Sequence, residues 1–301
     1  MRLLRHGTAG AERPGCLGRD GVIRDLSGHV GDITPEALGD GLLKAVAGID
    51  PETLPAVPAG TRLGPCVARP GKVVCIGLNY ADHAAEAEMP RPAEPIVFMK
   101  AASALCGPND DLILPQGAEK TDWEVELGVV IGRSASYVGE REAFDHIAGY
   151  CIVNDVSERA FQLERNGQWT KGKSADTFCP LGPWLVSADE IAEPQNLAMR
   201  LDVDGQVFQD SSSAQMIFGI AELIAYLSRF MTLLPGDVIA TGTPAGVGMG
   251  QRPPVYLRPG NRMRTSIEGL GEQCQEVVAA AGADKAAKAG GGAAMAEAPG
   301  R

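Results

Sequence analysis

From about residue 71 onward the chain is a succession of short apolar, β-branched runs, each closed by a Gly, Pro, Asn or Asp turn: "KVVCIGL", "PIVFMK", "DLILP", "WEVELGVVIG", "YCIVNDV", "PWLVS", "LAMRLDVDG", "DVIATG" and "NRMRTSIEG". Runs of this length between turn residues are the signature of strands. One segment reads differently. Between Ala214 and Met231 the apolar positions 216, 217, 220, 223, 224, 227, 230 and 231 form the stripe of a packed amphipathic helix. Ser213 is placed to cap that helix, and Pro235-Gly236 to stop the segment after it. So many strands with so few long helices predict a sheet-rich α+β fold, a mixed β-roll or barrel-like domain, rather than a doubly wound one.

Three regions separate on the same pattern. Residues 1–70 are rich in Gly and Pro, with a short strand in "GVIRDLS" and a helix in "TPEALGDGLLKAVAG", and read as a small N-terminal domain. Residues 71–280 hold the strand series and form the catalytic candidate. Residues 281–301, ending in "KAAKAGGGAAMAEAPGR", are Ala/Gly-rich and weakly patterned, and predict a disordered tail.

Composition narrows the class of partner. At 301 residues and 45% hydrophobic content the chain has ample material for a core. Its 38 acidic against 27 basic residues give a net charge of −11, which argues against a broad basic face for nucleic acid or anionic lipid and favours a small-molecule partner. The seven cysteines are odd in number, scattered and without CxxC spacing, so neither a disulfide framework nor a thiolate zinc site is indicated. With no secretory signal pattern and no bilayer-spanning run, the expected location is the cytoplasm.

Chemistry enters at "TDWEVELGVVIG", Thr121 to Gly132. Alternation along a strand sends Glu124 and Glu126 to one face and Trp123, Val125 and Leu127 to the other. Two adjacent carboxylates are ordinarily a solvated polar edge. Here the "GVVIG" that follows is apolar on both faces, as in a strand buried on both sides. Buried like charges raise each other's pKa unless a cation lies between them. Asp155, at the end of the apolar run "YCIVNDV", supplies a third carboxylate. Glu124, Glu126 and Asp155 make an all-oxygen set suited to Mg²⁺, or else Mn²⁺ or Ca²⁺, with Asp122 on the same face as a supporting group. A second constellation lies in "NYADHAAEAEMP", where His83 and Glu86 share one face of a helical turn. A carboxylate that orients a histidine makes a general base, although such pairs are also common as plain surface contacts.

Taken in order, "GLNYADHAAEAEMP", "DWEVELGVVIG", "GYCIVNDVSERAFQ", "KGKSADTFCPLGP" and "LLPGDVIATGTPAGVG" resemble the successive signature segments of the fumarylacetoacetate hydrolase family, over about residues 71–278. The resemblance implies a mixed β-roll around a Mg²⁺ or Mn²⁺ site, in a homodimer or higher homo-oligomer. It places the metal ligands on Glu124, Glu126 and Asp155, and the catalytic groups on His83, Glu86 and Lys173. Substrate contacts fall on Arg159, Gln162, Thr243 and Lys100. The implied reaction is hydrolysis of the C3–C4 bond of a 2,4-dioxo acid, with the metal at the pyruvate-like end, Lys173 adding positive charge and Thr243 anchoring the carboxylate. The stretch "EPIVFMKAASALCGPNDDLILP" resembles members acting on 2,4-didehydro-3-deoxy-L-rhamnonate or L-fuconate, which yield pyruvate and lactate, although many members have Pro where this chain has Ala101. Acylpyruvate hydrolysis and oxaloacetate decarboxylation use related sites and stay open, as does a non-catalytic protein that binds metal or sugar acid.

The remaining features have plain readings. "GTPAGVGMG" is followed by "QRPPVYLRPG", whose prolines forbid the helix that a dinucleotide loop must open. Trp123, Trp169 and Trp184 read as core or rim packing, and Cys151 and Cys179 as inert thiols.

Overall fold

The computed structural model describes residues 1–281; the expected disordered tail, but for its first residue, lies outside them. Two large sheets carry the chain, with a two-stranded pair of Thr121–Asp122 and Ser157–Glu158 beside them. The larger has eleven strands, and its main path runs Ile23–Asp25, Arg13–Leu17, Arg2–His6, Cys179–Ser187, Ile147–Asn154, Val125–Ile131, Val238–Ala240, Val73–Gly77 and Ile96–Lys100. A five-stranded sheet orders Gln206–Ser212, Ala198–Val203, Arg262–Ile267, Gly271–Ala279 and Leu112–Leu114. Neither order closes on itself, so the α+β fold is an open roll rather than a closed barrel. The strands predicted from apolar runs are all present.

The core lies where strands are buried on both faces. Every residue of Val73–Gly77 and of Val125–Ile131 is buried, which accounts for their near-continuous apolar character. The first 70 residues are hydrogen-bonded into this framework, because Arg2–His6 pairs antiparallel with Cys179–Ser187. An ion network of Arg5, Glu12, Asp32, Arg62 and Asp110 links the same region to the loop at residue 110.

Two helix expectations need correction. The stripe from Ala214 is helical only over Ile220–Leu227, with Gly219 at its N-cap. Ser213 caps nothing there: its hydroxyl donates to Pro194 O and accepts from Leu197 N, within a separate turn at Ser213–Gln215. Buried Asn79 holds the intervening backbone extended, bonding Phe218 N and O through its side chain and Ile217 N through its carbonyl. In the N-terminal region the expected helix is two helices, Pro35–Gly39 and Leu42–Val46, broken at Gly41, whose φ of 90° lies outside the helical region. The longest helix described has eight residues, and none is long and apolar enough to cross a membrane.

Candidate functional site

Register brings the three carboxylates together. Val125 faces Asn154 and Glu126 faces Val153 across an antiparallel pair, and one step further the Asp155 amide donates to the Glu124 carbonyl at 2.9 Å. Glu124 and Asp155 are therefore cross-strand neighbours, with Glu126 two positions along on the same face. Glu124 itself falls in the break between Thr121–Asp122 and Val125–Ile131, a difference from the single strand the alternation predicts. Ligand oxygens of Glu124, Glu126 and Asp155 lie within 4.8 Å of one another, and all three residues are buried.

Three cations surround this cluster unevenly. Lys173 Nζ donates to Glu124 Oε2 at 2.7 Å and to Asp155 Oδ2 at 2.8 Å, and Lys100 Nζ donates to Asp155 Oδ1. Arg159 donates from Nε to Asp122 Oδ2 at 2.9 Å, and its next nitrogen lies 2.7 Å from Glu124 Oε1. Burial alone would raise the Glu124 pKa, but Lys173 and Arg159 more than reverse that and bring it to about 2. Glu126 is the opposite case. Burial, then the charges of Asp155 and Glu124, push its carboxyl well above the usual range, and Oε2 accepts from Gly242 N at 2.9 Å. Among the described residues no lysine or arginine pairs with it. An all-oxygen set of buried carboxylates in which one lacks a counter-charge fits a hard divalent cation.

His83 and Glu86 sit together on Ala81–Glu86, with Nδ1 3.0 Å from Glu86 Oε2. Glu86 Oε1 accepts from Gly246 N at 2.8 Å. The glycine-rich segment 242–250 thus organises the site by its amides: Gly242 N holds Glu126, Gly246 N holds Glu86, and Gly248 N and Met249 N hold Asp122. Gly242 has φ +99°, and a Cβ there would come 2.9 Å from Asn79 Cβ. A Cβ at Gly246, with φ +105°, would lie 1.9 Å from Phe208 O. These amides serve the protein's own carboxylates, and the predicted absence of a following long helix holds, since Gly248–Gly250 is a single 3₁₀ turn.

The expected substrate contacts divide. Gln162 lies at the site, its Oε1 accepting from Arg159 at 3.0 Å. Arg159 is drawn into the anionic cluster by Asp122, Glu124 and Gln162, so its first duty is to hold carboxylates in place. Lys100 likewise bonds Asp155 and Val156 O. Thr243 is committed to the framework: its hydroxyl donates to Val125 O at 3.0 Å and accepts from Gln209 Nε2 at 2.8 Å. Asp122, expected on the same face as a supporting group, is fully buried and more central than that, joining Arg159 to the 248–249 amides. Its two-residue offset from Glu124 was the available signal. The cysteines near the site are buried; burial pushes the Cys179 thiol up to about 12 and Cys75 well above its usual value.

Residues 72–278 match the family model described as "Fumarylacetoacetate (FAA) hydrolase C-terminal". A protein of Burkholderia multivorans (strain ATCC 17616 / 249) that carries the name "Putative hydrolase" is 58% identical over 276 residues, covering 91% of this chain and 98% of its own. Among solved structures, a fumarylacetoacetate hydrolase from the psychrophilic Exiguobacterium antarcticum aligns with TM-score 0.84 and 34% identity, over 93% of this chain and 99% of that one. A 5-carboxymethyl-2-hydroxymuconate delta-isomerase from Mycobacterium smegmatis aligns at TM-score 0.74 and 34% identity, with the same coverage of each. A maleylpyruvate hydrolase from Sphingobium sp. SYK-6, in complex with manganese(II) ion and pyruvate, aligns at TM-score 0.77 and 30% identity, again over 93% and 99%.

Proposed function

The chain belongs to the fumarylacetoacetate hydrolase family, and from that premise we propose that it hydrolyses the C3–C4 bond of a 2,4-dioxo acid with the help of Mg²⁺ or Mn²⁺. The observation that carries the reading is the buried convergence of Glu124, Glu126 and Asp155 on a face whose glycine loop also holds the His83–Glu86 pair. The manganese and pyruvate held by the Sphingobium maleylpyruvate hydrolase support it, since pyruvate is the product expected here.

Glu124, Glu126 and Asp155 would hold the cation, which when bound supplies Lewis-acid stabilisation for negative charge developing at the 2-oxo acid end. His83 is the base: Glu86 Oε2 accepts a hydrogen bond from Nδ1–H, leaving Nε2 free to take a proton from water. The hydroxyl oxygen adds to C4, the C3–C4 bond breaks, and its electron pair passes to C3, which a proton then quenches. The products are pyruvate and the carboxylate of the acyl part. Lys173, fixed by Glu124 and Asp155, adds positive charge beside the leaving fragment, and Gln162 adds a polar contact.

The proposed substrate is 2,4-didehydro-3-deoxy-L-rhamnonate or the L-fuconate analogue, giving pyruvate and lactate. The working unit proposed is a cytoplasmic homodimer or higher homo-oligomer, checked by sedimentation. Function is tested by pyruvate release with and without EDTA from the rhamnonate, simple acylpyruvates and oxaloacetate in parallel. Metal-dependent pyruvate and lactate from the sugar acid support the proposal. Turnover of oxaloacetate alone, with release of CO₂, moves the chain to the decarboxylases.

A further inference from the structure

We infer that Ile96, Phe98 and Trp169 form the wall that receives the acyl part of the substrate, and that this wall selects an uncharged, alkyl-ended acyl group over one ending in a carboxylate. The inference rests on the reading of the site as a 2,4-dioxo acid hydrolase.

The wall follows from strand geometry. Along Ile96–Lys100 alternate side chains share a face, so Ile96, Phe98 and Lys100 lie in one row. Lys100 bonds Asp155, which identifies that face as the one turned to the carboxylates. At about 3.3 Å per residue, Phe98 stands about 7 Å and Ile96 about 13 Å outward from Lys100. The Phe98 ring centroid is 5.0 Å from Lys173 Nζ, and Trp169 meets Phe98 edge-on at 5.3 Å. Gly77 is paired with Ile96, and a Cβ at 77 would come 2.5 Å from the Trp169 ring and 3.4 Å from Ile96 Cγ2. The absence of a side chain at Gly77 is thus what lets Trp169 settle beside Ile96. Thr170, bonded to Met99 O at 3.0 Å, fastens Trp169's neighbour to the same strand.

All three wall residues are only half-buried, an apolar surface left accessible beside the buried carboxylate cluster. A substrate held by its 2-oxo acid end at the carboxylate cluster extends outward along this row. The cations on the row itself and in the Trp169 turn are engaged: Lys100 and Lys173 with the carboxylates, and Lys171 with Arg165 O. A terminal carboxylate would lose water against aromatic rings without gaining a partner, whereas a methyl or short alkyl end gains contact.

The test compares acylpyruvates that differ only in the tail, namely acetyl, lactoyl, butanoyl and succinyl, using Mn²⁺-loaded enzyme. The expected wild-type order puts the alkyl-ended substrates above the succinyl one by about 10²-fold in kcat/KM. W169A and F98A should lower kcat/KM for butanoylpyruvate by about 10-fold, while the dissociation constant of pyruvate itself stays within about twofold. G77A, which displaces Trp169 from the opposite strand, should reproduce the W169A pattern, and I96K should raise relative activity on the succinyl tail. A calorimetric arm needs no turnover: affinity should rise from pyruvate to 2-oxopentanoate and fall for 2-oxoglutarate, with the trend flattened in W169A. If no acylpyruvate is turned over but this trend holds, the reaction assigned to the site is wrong and the wall stands. Affinity independent of the tail, or a wild-type preference for the succinyl substrate, overturns the inference.

Discussion

Two charge networks in this molecule carry the same formal imbalance and behave in opposite ways. Near the N-terminus, Glu12, Asp32 and Asp110 face Arg5 and Arg62; in the central sheet, Asp122, Glu124, Glu126 and Asp155 face Lys100, Arg159 and Lys173. Each has one carboxylate in excess. The N-terminal network reaches water, with side chains of Asp32 and Arg62 24% and 31% exposed, and each of its carboxylates touches a guanidinium. Burial works against the Glu12 charge, yet Arg62 and Arg5 hold its pKa below the usual value. In the central network no side chain named in an ion pair exceeds 7% exposure, and Glu126 is left to a single backbone amide. The same excess charge that solvent screens at the edge requires a proton or a metal ion at the centre. Ion pairing alone therefore does not mark a functional site; an uncompensated buried carboxylate does.

The largest break in this comparison comes from Glu126→Gln. Metal-dependent pyruvate release should fall to background and Mn²⁺ affinity should collapse, while the metal-free variant melts no lower than wild type, since a strained charge has been removed. Full activity in the variant would take Glu126 out of the site. Next in size is His83→Ala, expected to slow hydrolysis by about 10²–10⁴-fold with pyruvate binding retained; lost pyruvate binding would make the histidine a substrate ligand instead.

The two networks should also respond to pH with opposite sign. The folded pKa of Glu12 is lowered, so its contribution is present above the ordinary glutamate value of about 4.3 and is lost as pH falls through the folded pKa. In metal-stripped protein the folded pKa of Glu126 is raised, so its stabilising protonated form is complete below about pH 4.3 and is lost as pH rises through the folded pKa. Denaturant titrations of Glu12→Gln and Glu126→Gln across pH should show Glu12→Gln weakest near neutrality. Any advantage of Glu126→Gln should shrink toward acid; parallel curves would refute the contrast. The smallest effect belongs to Thr243→Val, which loses two buried hydrogen bonds and should cost about 1–3 kcal/mol of stability with little change in KM. A large rise in KM with unchanged stability would restore Thr243 as a carboxylate anchor.

How much of this was readable beforehand depends on the range of the interactions involved. The period-two alternation around Glu124 and Glu126, and the apolar run ending at Asp155, are local patterns, and antiparallel register turns them directly into a cluster. His83 and Glu86 are three residues apart on a helical turn, so their contact is local too. By contrast, Asp122 and Thr243 take their roles from partners more than a hundred residues away, Gly248 and Met249 for one and Val125 for the other. The helix expected from Ala214 failed for the same reason, because Asn79, far off in sequence, takes the backbone groups that the first turns needed. The proposed boundary near residue 70 is also a long-range question, since Arg2–His6 pairs across it.

A divalent-metal centre at Glu124, Glu126 and Asp155 would show itself in titration of Mn²⁺ into EDTA-stripped protein, followed by electron paramagnetic resonance. One tightly held Mn²⁺ per chain is expected, displaced by excess Mg²⁺ and lost in Glu126→Gln. Absence of stoichiometric binding, or binding that survives that substitution unchanged, would contradict that assignment.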